Sequence, residues 1–561
     1  MIIKFLQKPL FILFIILALA SFLRLYDLGR TPASLNWDEV ALGYNAKSIL
    51  ETGKDEYGEL LPVVLRSYDD YKPALYSYFD IPFVGVLGLT EVAVRLPSAI
   101  AGIIAVFLVY FVVKQLLGEK RIVIGTIEIN SYWVALLASF LLAISPWHIQ
   151  FSRIAFESNV GLTLNIAAFY LFLKGLKKGI YLPFSFALAA LNLHMYQSDR
   201  VFSPLLIIVL SIIFYKTIFK KKKMLVVSLL AAFVIALPLI FYILTNSNAL
   251  MRAKGVSVFS EQSVVKRSSE KLLRDSQSNN VLGKVFDNRR VEYIKAVSYG
   301  YLSHFDLNWL FITGDIARHH APFMGLLYIF EFPLLLIGVY TLIFLKIEKK
   351  YKAAFFAYFL LVPIPASITS GVPHAVRTLN YVWTYELMIA LGIVACIVFI
   401  LTQKQKIIRH SLVALSFLFC VLAVLNVLYY LNQYFVQLDY YYARDWLYGY
   451  KQAIAYTEEN AGKYDKIIVE NETPFDQSYM FFLFYLNMDP GEYQKLGGTA
   501  SGGWKEKHKG FGKYTFEPIK DAKYDGKVLY IGEPSDMPNG SKIKKNILLP
   551  DGSVGVTISE S

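Results

Sequence analysis

Apolar residues run in long blocks along this chain, and most polar residues fall in short breaks between them. Crossing a hydrocarbon core of about 30 Å takes about 20 helical residues. Runs of that order lie near 8–25, 92–117, 131–149, 157–176, 180–195, 201–218, 223–245, 321–345, 352–370, 376–401 and 408–433, which predicts about eleven membrane helices. The first follows Lys4 and Lys8 as a signal peptide would, but it continues into Phe22, Leu23 and Arg24 without a small-x-small cleavage pattern. It is therefore read as a retained span.

Basic residues sharpen this pattern. Alternate breaks hold Lys120 and Arg121, then Lys174, Lys177 and Lys178, then Lys216 with Lys220 to Lys223, then Lys346, Lys349, Lys350 and Lys352, then Lys404, Lys406 and Arg409. With eleven spans these breaks share one side with the N-terminus, and short basic loops face the cytoplasm. The expected N-terminus is cytoplasmic and the C-terminus extracytoplasmic, in a plasma or inner membrane if the cell is prokaryotic. Residues 26–91 and 246–320 are then long outer segments, the second holding a basic, Ser- and Asn-rich stretch from Arg252 to Arg290 that reads as a mobile or interfacial loop. From about 436 the composition turns mixed polar and aromatic, with strand-like runs at Lys466–Glu470 and Lys527–Ile531 between Gly and Pro breaks. The fold class expected is mainly α, a polytopic helical bundle over 1–435 with a small extracytoplasmic α/β domain over 436–561.

Composition agrees. The 561 residues are 55% hydrophobic and 16% aromatic, with a mean hydropathy of +0.44, too apolar for an ordinary soluble protein. The net charge of +13 would suit nucleic acid only as a basic stripe on a soluble face. Here the cations flank apolar runs, so no nucleic acid partner is expected. The two cysteines, Cys396 and Cys420, both lie inside apolar runs, so exported segments fold without an internal disulfide.

The candidate chemistry lies in the outer breaks. Asn36-Trp37-Asp38-Glu39 opens a helix-like stretch after the first span. Its adjacent carboxylates can supply a base and a ligand for a divalent cation, or simply complement a helix dipole. Tyr71-Lys72-Pro73 leads into an aromatic helix with Pro73 at its first position, and Lys72 can meet a phosphate as a point charge or be a solvated lysine. Arg95 opens the second span. Arg153 and Glu157, four apart in the third-to-fourth turn, can share a helical face and pair. The fifth-to-sixth turn carries His194, Tyr196 and Arg200, and the ninth-to-tenth carries His374 and Arg377. Singly, each reads equally as an interfacial anchor. Jointly, four or five cations and an acidic pair on one side of a bundle suit an anionic, lipid-attached head group.

These residues resemble the GT-C membrane glycosyltransferases, in particular the family 39 group of protein O-mannosyltransferases and lipid A aminoarabinose transferases. The resemblance rests on Asp38-Glu39 after a first span, Tyr71-Lys72-Pro73, Arg95-Leu96-Pro97-Ser98, and Ser145-Pro146 with Arg153. It covers residues 20–215, and the rest by topology. It implies transfer of a monosaccharide from a polyprenyl or dolichyl phosphate to a hydroxyl of a glycan, lipid or protein on the outer side. Asp38, with Glu39 beside it, takes the place of the catalytic acid pair, and Lys72 that of a lysine near the donor phosphate. Arg153, Arg200, His374 and Arg377 are carried over as phosphate-binding by loop, and Tyr71, Arg95, Glu157, His194 and Tyr196 as further pocket residues. Protein O-mannosyltransferases usually carry an MIR domain in their large later loop, and 246–320 is too short for one, which favours a glycan or lipid acceptor. The competing readings are a flippase for lipid-linked sugars, which would place charges at mid-span, and a non-enzymatic envelope-assembly protein, in which Asp38 and Lys72 would be dispensable.

Overall fold

The computed structural model describes residues 9–118, 121–249, 251–499, 510–522 and 524–561. Lys4, Lys8 and Lys120 of the charge pattern lie outside the described residues. Every one of the eleven apolar runs contains a helix: α1 (Pro9–Leu25) precedes the 26–91 segment, α2 (Trp37–Thr52) and α3 (Leu75–Leu87) lie within it, and α4 (Glu91–Leu117) is the second long apolar helix. There follow α5 (Ser131–Ile144), α6 (Pro146–Ser152) and α7 (Glu157–Lys177), then helices at Tyr181–Leu191, Asp199–Ile213, Lys222–Thr245, Glu331–Phe344, Lys349–Leu361, Val382–Thr402 and Lys406–Asn432. Among the described residues, five helices are long and apolar enough to cross a membrane, or six if α5 and α6, bent by 59° at Ser145, count as one span. Two others are shorter than their apolar runs because the backbone opens near polar residues or proline. The 180–195 run ends in a 3₁₀ turn at Asn192–His194, and the helix from Lys349 stops at Leu361, two residues before Pro363. The chain is an integral membrane protein, mainly helical, with a small C-terminal sheet.

By internal contacts the chain divides into two compact units. The first comprises residues 1–20, 103–149 and 161–428, and the second residues 21–102, 150–160 and 429–561. In the first, helix Glu331–Phe344 lies on helix Val382–Thr402 at glycine-mediated distance. A Cβ on Gly338 would stand 1.7 Å from the Met388 carbonyl oxygen, and one on Gly392 would stand 2.0 Å from that of Leu334. The Arg252–Arg290 stretch, expected as a loop, lies in a run of helices at Met251–Gly255, Gln262–Gln277, Val281–Phe286 and Arg289–Ser303. Asn280 and Asn288 cap the last two through their side chains.

In the second unit α2, α3 and the start of α4 pack around Ala46, Val84 and Ala93. Helix Ser478–Tyr485 lies along α2. Two short antiparallel strands, β1 (Val64–Leu65) and β2 (Lys72–Pro73), precede α3. Pro73 therefore sits in β2 rather than at the first position of the helix, since Lys72 is held extended opposite Leu65. A hairpin in the first unit forms β3 (Arg121–Ile124) and β4 (Ile127–Asn130). The C-terminal sheet comprises β5 (Lys466–Val469), β6 (Tyr514–Phe516), β7 (Val528–Gly532), β8 (Lys542–Leu548) and β9 (Val554–Glu560), in the order β6-β5-β7-β9-β8. The first three are parallel, and β9 and β8 add antiparallel. Ile468, Ile519, Val528 and Tyr530 fill its core.

Candidate active site

The site is built first by a helix cap. Asn36 accepts the backbone N–H groups of Asp38 and Glu39 at 2.8 and 3.1 Å, and Glu39 returns a carboxylate to the Asn36 N–H at 3.0 Å, a reciprocal capping box. Gly53, at φ 73°, closes the far end of α2. The first turn of α2 thereby fixes where both acidic side chains leave the backbone.

They leave toward different cations. Asp38 is in direct contact with the ammonium of Lys72, with Asp38 about a quarter exposed and Lys72 almost fully covered. The loop that delivers Lys72 holds Tyr68 and Tyr71 at φ 55° and 48°. Non-glycine residues there cost about 1 kcal/mol or more each, a strain found where structure is organised for function. The Tyr68 hydroxyl donates to the Trp37 carbonyl at 2.8 Å, and the Lys72 ammonium lies 5.4 Å from the Tyr68 ring centre. Asp70 is 4.0 Å from the same ammonium. Buried Glu157, at the start of α7, is within electrostatic reach of both Asp38 and Lys72. The result is a partly open cluster of three carboxylates and one cation beside an aromatic loop.

Glu39 is fully buried. It accepts Arg95 Nε at 2.9 Å and the Ala155 N–H at 3.0 Å. Arg95, equally buried, also donates to the carbonyls of Leu28, Pro32 and Ser34 at 2.7–3.0 Å. The adjacent carboxylates expected as a cation pair thus diverge, because consecutive helical positions do not share a face. Arg153 donates to the carbonyls of Leu23, Tyr26, Asp27 and Thr31 at 2.6–3.3 Å and lies under the Phe435 ring at 4.9 Å. Its expected partnership with Glu157 is not made: α6 ends at Ser152 and α7 starts at Glu157, so the i,i+4 spacing spans a turn and not a helix face. Arg95 and Arg153 together lace residues 23–34, the segment leading into α2.

Two buried charged residues, Glu56 and Lys47, had no sequence signal. Glu56, fully buried, accepts Thr499 Oγ1 at 2.7 Å and the Tyr479 hydroxyl at 3.0 Å, and its N–H donates to Asn45 at 3.0 Å. Burial, opposed by the Thr499 hydrogen bond, pushes its carboxyl up to about 7. Lys47 likewise binds the 487–488 turn, with its ammonium 2.7 Å from Asn487 Oδ1 and 2.8 Å from the Asn487 carbonyl. Both partners lie more than 400 residues away, so local pattern could not reveal them.

The remaining predicted residues belong to the first unit. Arg200 donates to the Leu193 carbonyl at 3.1 Å and to Gln197 at 2.9 Å. His194 Nε2 is 2.8 Å from the Ile235 carbonyl. Arg377 donates to Thr369 Oγ1 and the Ser370 carbonyl, both at 2.6 Å, and Tyr196 is within electrostatic reach of it. His374 stands beside His319, ring centres 5.2 Å apart. An apolar cavity of about 560 Å³ opens among Phe186, Leu193, Ile207, Leu229 and Phe233.

Residues 71–242 match the family model described as dolichyl-phosphate-mannose-protein mannosyltransferase. By structure the chain is similar to ArnT from Cupriavidus metallidurans bound to undecaprenyl phosphate, with a TM-score of 0.54 at 9% identity over 98% of this chain and 97% of that one. The chain shares the fold of ArnT, and about a third of it matches that mannosyltransferase family model. ArnT in the apo state matches this chain with a TM-score of 0.53, also at 9% identity and over the same shares of both chains. AglB, the archaeal oligosaccharyltransferase from Archaeoglobus fulgidus in complex with an inhibitory peptide and a dolichol-phosphate, gives a TM-score of 0.49 at 12% identity over 85% of this chain. This chain spans 63% of the length of AglB. No curated protein matches it by sequence.

Proposed function

We propose that this chain is a membrane glycosyltransferase that moves a monosaccharide from a polyprenyl or dolichyl phosphate to a hydroxyl of a glycan or lipid acceptor, or of a protein, on the outer side of the membrane. Eleven crossings, a cytoplasmic N-terminus and an extracytoplasmic C-terminal region complete the reading. One observation carries it: a partly exposed carboxylate, Asp38, held against a nearly buried lysine, Lys72, by a strained loop, with Glu157 in reach. The donor phosphate competes for Lys72 and draws it off Asp38, so substrate binding itself frees the base. Asp38 takes the proton of the acceptor hydroxyl, the oxygen attacks the anomeric carbon, and the bond from that carbon to the phosphate oxygen breaks. The lipid phosphate leaves with its charge met by Lys72. Arg200 and Arg377 are further phosphate candidates. Glu39, Arg95 and Arg153 are positioning residues, since their groups are committed to each other and to the backbone.

The test is sugar release from a panel of polyprenyl-phosphate monosaccharides by the purified protein, with Asp38→Asn and Lys72→Ala alongside. Loss of a general base costs about 10²–10⁴-fold in turnover, and Asp38→Asn is expected to fall in that range. Lys72→Ala is expected to raise KM for the donor as well as lower turnover. Retained turnover in both variants removes the site. Donor crossing the bilayer in reconstituted vesicles with no sugar release would instead make the chain a flippase.

A further inference from the structure

We propose that Asp315, His319 and His374 form a site for one divalent transition-metal ion of the Zn²⁺ class. One ligand atom from each of the three residues lies within 4.8 Å of the other two. They come from two segments that the sequence keeps apart: Asp315 and His319, four residues apart, in the turn before helix Glu331–Phe344, and His374 in the turn before helix Val382–Thr402. A tetrahedral ion with bonds of about 2.0–2.2 Å holds its ligands about 3.3–3.6 Å apart. The cluster therefore closes on an ion with side-chain movements of up to about 1 Å.

The local hydrogen bonds favour this reading over a simple acid–histidine pair. Asp315 Oδ2 lies 3.0 Å from His319 Nδ1, an ordinary separation for two ligands on one ion. It also accepts the Ala375 N–H at 2.6 Å, which aims the carboxylate at the segment carrying His374. The His374 N–H donates to His304 Nε2 at 3.2 Å, and His304 Nδ1 rests on the Gly300 carbonyl at 2.6 Å. His304 is thus a support that fixes the turn, of the kind that orients metal ligands. Yet His374 Nδ1 is buried with no hydrogen-bond partner. An acid–histidine pair explains Asp315 and His319 but leaves that nitrogen orphaned, at a cost that folded proteins seldom bear. A metal ion supplies its missing partner.

The donor set names the ion's class. Two imidazoles and one carboxylate suit borderline cations such as Zn²⁺, whereas Mg²⁺ and Ca²⁺ take oxygen ligands. Three protein ligands leave the fourth tetrahedral position to water or an anionic oxygen. His374 accordingly serves as a metal ligand and not as a direct phosphate donor.

The experiment uses the full chain purified in detergent, stripped with chelator and titrated with ZnCl₂ by calorimetry, with metal content measured after desalting. The expected result is one Zn²⁺ per chain, unaffected by millimolar Mg²⁺. His319→Ala and His374→Ala should each weaken binding at least about 100-fold, while His410→Ala leaves it unchanged. Co²⁺ substitution should give the visible absorption of a tetrahedral site. Zn²⁺ should also raise the melting temperature of the wild-type protein and chelator lower it, which needs no variant to fold. Wild-type protein that binds no Zn²⁺, or variants that bind it as tightly as wild type, would overturn the assignment.

Discussion

Glu39→Gln tests whether the acidic pair divides its labour as the structure implies. The carboxylate accepts Arg95 Nε at 2.9 Å and Nη2 at 3.4 Å, the Asn36 N–H at 3.0 Å and the Ala155 N–H at 3.0 Å, and both members of the ion pair are fully buried. Glutamine keeps one acceptor oxygen but turns an NH₂ toward donors and leaves the guanidinium without a counter-charge. Removing one partner of a buried pair costs about 3–5 kcal/mol. Because Arg95 retains three carbonyls, the lower end, about 3 kcal/mol, is expected. The assay is unfolding in mixed micelles followed by tryptophan fluorescence, for Glu39→Gln, Arg95→Met and the double variant. The double should lose less than the two singles together by at least about 2 kcal/mol, since neither charge is then stranded. Turnover per folded molecule should fall less in Glu39→Gln than in Asp38→Asn. A single-variant cost below about 1 kcal/mol, or additive singles, would refute the positioning role.

Two further predictions address other parts of the fold. Glu56 has its carboxyl raised from the usual 4.5 to about 7, so the folded state holds a proton that the unfolded chain has released. This contribution to stability is fully present below about pH 4.5 and is lost as pH rises through about 7. At about 1.4 kcal/mol per pH unit it is worth about 3 kcal/mol; melting temperatures at pH 5 and 8 should show the loss, and Glu56→Gln should flatten it while keeping Thr499 and Tyr479 bonded. In the first unit, Gly338→Ala would drive a methyl to 1.7 Å from the Met388 carbonyl oxygen, and separating the two helices should cost about 1–3 kcal/mol, read as a lower melting temperature. An unchanged melting point would mean that the helices are not packed at glycine distance.

Hydrophobic periodicity made most of the scaffold readable. A span needs about 20 consecutive apolar residues whatever surrounds it, so all eleven runs could be located and each holds a helix. The helix that opens at Asn36–Glu39 and strands β5 and β7 were also legible, since helix starts and strands are set within a few residues. Side-chain roles were not. Asp38 and Glu39 look alike in sequence, yet one meets Lys72 near solvent and the other is sealed against Arg95, because their directions differ around the helix and the packing on each side differs. Arg153 and Glu157 have helical spacing, but Ser152 and Glu157 are helix ends. Glu56 meets Thr499, and Asp315 meets His374, across separations that no local pattern encodes. Local free energies are written in neighbouring residues, whereas the partners of a buried charge are chosen by how distant segments close around it.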